Sequence, residues 1–275
     1  YSGTGNSQAV TGVGFQPDFT WMKVRDATGW HQSHDVVRGA TQGALYTNST
    51  SAEDTPYGLT SFDSDGYTTH ASNAGWQSGS GYSFVAWNWK ANGTGVSNTN
   101  GSITSTVSAN ADAGFSIVSW TGTTATTATI GHGLSKAPEM FIFRPRNASD
   151  NWMTYQKTLG NGVNSAIYLN LTNASSTDGG TGNYWNNTAP SSTLMSFGDW
   201  HNTDAQNYIG YAFHSVEGYS KVGSYTGNGS TDGTFVHCGF RPAYVMIKGT
   251  DTTYSWDTFD NKRDPINDVD GYLAA

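Results

Sequence analysis

A short stretch that recurs three times limits what this chain can fold into more than any single motif does. The first copy reads Gly14-Phe15-Gln16-Pro17-Asp18-Phe19-Thr20-Trp21-Met22-Lys23. The last reads Gly239-Phe240-Arg241-Pro242-Ala243-Tyr244-Val245-Met246-Ile247-Lys248. The middle copy, Gly133-Leu134-Ser135-Lys136-Ala137-Pro138-Glu139-Met140-Phe141-Ile142-Phe143, carries two extra residues before its proline. An aromatic residue and a Ser/Thr-Gly pair introduce each copy, starting at Tyr1, Trp120 and Tyr225. A tryptophan follows each proline by 13 or 14 residues: Trp30 after Pro17, Trp152 after Pro138, Trp256 after Pro242. Anchors in one order, three times over, define a building unit copied along the chain. The prolines and tryptophans are its structural anchors.

Each full unit covers about 105–120 residues and divides into short apolar runs separated by Gly, Asn, Ser and Thr. Charged residues make up only 12% and there are three glutamates, too few for long helices, while aromatics reach 13%. In the first unit, strands are expected over residues 7–13, 19–24, from 30, 44–46, 59–62, 66–69 and 82–89. In 82–89 Phe84 and Ala86 share one side, and Val85, Trp87 and Trp89 the other, so both faces of that strand should be covered. The second unit repeats the pattern from 114–120 to 208–213, and 218–225 repeats 114–120. The predicted fold is all-β: tandem β-sandwich or jelly-roll repeats. The divisions are 1–95 for the first repeat, 96–112 for a Ser/Thr/Asn-rich linker or β-extension, 113–217 for the second repeat and 218–275 for half of a third. A half-sandwich leaves edges and an apolar face open. The expectation is a segment of a longer polypeptide that continues past residue 275, the alternative being completion by another subunit.

The net charge of −8 disfavours a nucleic-acid partner, which needs clustered Lys and Arg. No apolar run reaches the ~20 residues of a membrane-crossing helix. The lone Cys238 cannot form an internal disulfide and is expected as a small buried residue on a strand of the third repeat.

Four stretches carry a resemblance: residues 10–18, 114–122, 223–229 and 260–265. Together they make the chain similar to the repeated β-domains of large tail-fibre-like virion proteins of marine bacteriophages, the cyanophage type. The resemblance implies a virion appendage, assembly with copies of itself or neighbouring virion proteins, and lectin-like contact with host surface glycans. It implies no cofactor and no catalytic residue.

The residues themselves offer few reactive constellations. His31, His34 and Asp35 could share a metal only if brought together, and the other repeats hold Met153 and Asp257 where His31 is expected. Asp63-Ser64-Asp65-Gly66 starts like a calcium loop but lacks the distal carboxylate, and a hairpin turn accounts for it. No glutamate sits at a shared repeat position to form a glycosidase pair. The shared tryptophans are read as core, because repeats share cores more reliably than sites. Tryptophans found in one repeat only, Trp76, Trp185 and Trp200, lie in Gly/Asn-rich loops and are the candidates for glycan or partner contact. The reading from sequence is therefore a non-enzymatic virion structural protein, with a carbohydrate-binding module as the alternative and a glycoside hydrolase as a third.

Overall fold

A computed structural model describes residues 1–71, 74–266 and 271–274; Ala275, the expected stopping point of the third repeat, lies outside them. The fold is all-β. The first repeat holds β1 (Ala9–Thr11), β2 (Phe19–Val24), β3 (Gln32–Asp35), β4 (Leu45–Tyr46), β5 (Ser61–Asp63) and β6 (Gly66–Thr68). A helical turn, α1 (Ala74–Gln77), then leads to β7 (Phe84–Trp89). Strands β4-β3-β2-β7 form an antiparallel sheet, and β1-β6-β5 form a smaller one. Met22, Leu59 and Tyr67 fill the space between them, with Tyr1, Phe62 and Ala86 packed alongside.

Residues 96–112 are not a linker. They form β8 (Val96–Asn98) and β9 (Ser105–Asn110), and β9 pairs with β10 (Phe115–Thr121). The alternating Val107 and Ser105 bury one side of β9, so Ser and Thr here mark a strand face rather than flexible chain. The second repeat continues with β11 (Thr127–Gly131), β12 (Met140–Pro145), β13 (Met153–Gln156), β14 (Ser165–Tyr168), β15 (Ser176–Thr177), β16 (Leu194–Gly198) and β17 (Asn207–Phe213). Its main sheet runs β15-β14-β13-β12-β17-β10-β9-β8, and the β11–β16 ribbon is its second layer. Trp120, Phe141, Phe143, Tyr155, Trp185 and Phe197 pack in one buried cluster there. The third repeat holds β18 (Tyr244–Lys248), β19 (Trp256–Asp260) and β20 (Leu273–Ala274), paired in that order.

The three repeats share one strand plan. Phe19 faces Asp35, Met140 faces Gln156 and Tyr244 faces Asp260 at the same point of the first hairpin. Pro17, Pro138 and Pro242 each stand two residues ahead of that hairpin's first strand, where a missing N–H costs no ladder bond. The introducing anchors coincide as well. Tyr1 stacks on Phe84 and Trp120 on Tyr208, with centroids 5.2 and 5.1 Å apart. Gly3 and Gly122 donate to Tyr82 and Gln206, at 2.9 and 2.8 Å. A Cβ on either glycine would lie 2.1 Å from a backbone oxygen, so that position admits only glycine.

The tryptophans need a correction. The hairpin register places Gln32, Met153 and Asp257 together, opposite Met22, Phe143 and Ile247. His31, not Trp30, therefore shares the position of Trp152 and Trp256. Trp152 and Trp256 are buried, whereas Trp30 is 39% exposed and rests on Tyr46. Met153 and Asp257 correspond to Gln32 rather than to His31.

The third repeat differs from expectation. Residues 218–225 form no strand; Val216 and Ser220 make one isolated bridge, and Tyr225 and Phe235 are exposed. Cys238 is half-buried and outside any strand. Among the described residues Tyr225 has no closing strand beside it, the partner that packs on Tyr1 and Trp120. One face of each of the three main sheets meets the others in one core, and in the first two repeats it is the face away from the second layer. Phe19, Trp21, Trp87, Ile142, Trp152, Ile167, Tyr211 and Trp256 belong to it, with Tyr244 and Leu273 at its margin. No helix among the described residues is long and apolar enough to cross a membrane.

Candidate functional site

The most elaborate polar chemistry of the molecule lies where repeats meet. In the first repeat Asp35 ends β3, and Arg38 follows three residues later with both side chains buried. Arg38 donates from Nε to Asp35 Oδ2 at 2.6 Å, from Nη1 to Gly43 O at 2.8 Å and from Nη2 to Ser33 O at 2.7 Å. Asp260 and Arg263 repeat the arrangement in the third. Arg263 Nε reaches Asp260 Oδ2 at 2.6 Å, and its two other nitrogens reach Gly271 O and Thr258 O, each at 3.0 Å. The second repeat has Gln156 and Leu159 at these places.

Each aspartate also accepts a bond from a neighbouring repeat. Tyr211 on β17 donates to Asp35 Oδ2 at 2.9 Å, and Trp87 on β7 donates to Asp260 Oδ2 at 3.1 Å. Tyr211 and Trp87 hold the same place in their closing strands, opposite Ile142 and Trp21. The inner tryptophans act in the same sense. Trp152 Nε1 donates to Tyr46 O at 2.8 Å, and Trp256 Nε1 to Tyr168 O at 2.9 Å. The second repeat thus binds the first, the third binds the second, and the first binds the third. The contacts run head to tail around the shared core, a heterologous arrangement.

Behind β4 and behind β14 an extended arm crosses to the next repeat. Arg144 donates to Ser49 O and Thr50 O, Asp150 N to Thr50 O, and Glu53 N to Arg146 O. The Glu53 carboxylate joins Arg38 and Arg146, at 2.7 Å from each. Behind β14 the pattern recurs with a lysine for Arg144 and without the carboxylate bridge: Lys248 and the Tyr254 N–H donate to Thr172 O, and Ser175 N donates to Thr250 O. Burial by itself would disfavour the Arg38 charge, but Asp35, Tyr211 and Glu53 around it hold its pKa above the ordinary arginine value. Burial lowers that of Arg144 to about 10.

His31, His34 and Asp35 are sent to different partners. His31 Nε2 lies 2.7 Å from Lys23 Nζ, and His34 Nε2 lies 3.1 Å from Gln32 Oε1. Asp35 belongs to the arginine junction. Burial pushes both imidazoles down to about 3, helped by Lys23 at His31 and by Arg38 at His34. Among the described residues no group of three or more His, Cys, Asp or Glu side chains is placed to hold a metal ion. Residues 63–66 form the tight β5–β6 turn. Asp65 accepts from the N–H groups of Gly14 and Gly12, at 2.6 and 3.0 Å, which hold its carboxyl below the usual range.

The three loop tryptophans divide. Trp185 is fully buried, and its Nε1 donates to Ser165 O at 2.9 Å, so it is core and not a contact residue. Its Asn/Gly-rich flanks suggested a loop tip, but the loop folds inward against β14. Trp76 is 38% and Trp200 54% exposed, and the Trp200 ring meets Tyr184 edge-on at 5.4 Å. The Asp-x-x-Arg junctions were missed in sequence, although Asp35/Arg38 and Asp260/Arg263 recur at one repeat position.

The fold and its junctions define a protein of repeated β units that bind one another through directional contacts. The chain belongs to the family described as Domain of unknown function (DUF7483), whose model matches residues 1–275. No curated protein and no solved structure matches it.

Proposed function

We propose that this chain is a non-enzymatic structural protein of a bacteriophage virion, part of a tail fibre or related appendage. In this reading it is built from tandem β-sandwich repeats and assembles with further copies or neighbouring virion proteins. The observation that supports it is the head-to-tail junction. Buried charged groups, Asp35, Arg38 and Arg144 among them, are engaged in holding one repeat to the next. Units with different giving and receiving sides associate through contacts alone, here as a closed set of three, which is a task of assembly rather than of catalysis. Immunogold labelling of phage particles that encode this chain tests the reading. Gold on the tail or its fibres supports it, and unlabelled particles from a culture expressing the chain rule it out.

The second reading, a carbohydrate-binding module, is favoured by Trp200. More than half its surface is open and its edge contact with Tyr184 fixes the ring, as stacking on a sugar would require. Glycan-array binding lost in Trp200→Ala, with unchanged thermal stability, would support that reading. An array with no hit would remove it.

A further inference from the structure

Two inter-repeat junctions are filled by arms, and the third shows only its receiving side among the described residues. Register assigns the corresponding positions. Lys23 stands where Arg144 and Lys248 stand, Arg25 where Arg146 and Thr250 stand, and Gly29 where Asp150 and Tyr254 stand. Arg263 takes the role of Arg38. Between Arg25 and Arg263 lies an open groove of about 310 Å³, lined also by Asp26, Ser83, Asp264 and Tyr272. At the first junction the same place between two arginines holds the Glu53 carboxylate.

The receiving groups make no contact with an arm among the described residues. Lys23 Nζ turns to His31, where its counterparts bind arm carbonyls. Among the described residues neither Arg25 O nor Gly29 N makes the backbone hydrogen bond that Arg146 O and Asp150 N make. The groove's own carboxylates are engaged elsewhere: Asp26 accepts from Ser83 N at 3.0 Å, and Asp264 from Gly271 N at 3.4 Å. Strand β20 ends beside the groove, since Tyr272 and Leu273 line it.

We propose that this groove is the receptor for a third arm, an extended segment of the repeat type bearing one carboxylate. An arm of this type can reach the groove from behind β20, as those behind β4 and β14 reach theirs. Its carboxylate bridges Arg25 and Arg263, a backbone carbonyl three residues earlier accepts from Lys23, and the ring of repeats closes. A bidentate site for a planar carboxylate is what paired guanidinium groups supply.

The full chain can be tested with a copy of residues 48–54 added behind Ala275. The control carries the same residues in reversed order. The correct extension should raise Tm by about 3–6 °C over the control. Replacing the copied glutamate with glutamine, or Arg25→Gln, should remove at least half of the gain, and the two together should remove little more. Arg25 is exposed, so its replacement leaves the fold intact. Equal Tm for the two extensions, or a gain indifferent to Arg25→Gln, would overturn the proposal. A dimer of the unextended chain that Arg25→Gln dissociates would also overturn it, by giving the groove to a second copy.

Discussion

Asp35 and Arg38 show how strongly one buried pair can depend on its partners. Arg38→Ala would leave Asp35 and Glu53 without their shared cation, and the Asp35 carboxylate is fully buried. Breaking such a pair from one side costs about 3–5 kcal/mol. Urea unfolding of Arg38→Ala should show that loss, whereas Arg263→Ala, at a less buried junction, should lose less. The buried histidines act through pH. His34 stays neutral in the folded chain down to about 3, while an unfolded histidine takes a proton near its ordinary value of 6.5. Between these limits the unfolded state binds more protons, so stability falls as pH drops through that window. Each such histidine contributes a slope of about 1 kcal/mol per pH unit. Urea midpoints measured from pH 6 to pH 4 should fall less steeply in His34→Gln than in the parent chain.

Among the elements, most strands of the two full repeats were legible because apolar alternation and proline placement are local signals. β2 appears with the bounds that its alternation predicts, and both faces of β7 are covered as Phe84 and Trp87 require. The tryptophan offset is present in the spacing, although the sequence reading grouped the three as one position. Trp30 follows Pro17 by 13 residues, the other two follow by 14, and that one-residue difference moves a side chain to the opposite face. Trp185 misled because a loop's composition does not say whether it folds over a core. The junctions were not legible, since Tyr211 and Asp35 lie 176 residues apart and only the packing of separate sheets joins them. One element carries a direct test. At Gly122 a Cβ would meet Thr203 O at 2.1 Å and the Tyr208 ring at 3.1 Å, at the end of the β10–β17 pairing. Gly122→Ala should cost about 1–3 kcal/mol in thermal or chemical unfolding, and Gly160→Ala, where a Cβ has open space, should cost under about 1 kcal/mol.

The whole molecule has one core that no repeat owns. Phe19 stacks on Tyr211 of the second repeat at 4.1 Å, and Trp87 meets Tyr244 of the third at 5.4 Å. A fragment of residues 1–95 keeps both of its sheets but uncovers Phe19, Trp21 and Trp87. It should bind a hydrophobic dye and unfold without a sharp transition, as near-UV circular dichroism and dye fluorescence would record. The full chain should unfold in one step. The sense of the contacts has a further consequence. Every unit gives an aromatic donor to the unit before it and takes one from the unit after it, so covalent tethers fix the order of units rather than their geometry. Three unlinked copies of a single unit can satisfy the same contacts, and a homotrimer is the simplest ancestor that this arrangement admits.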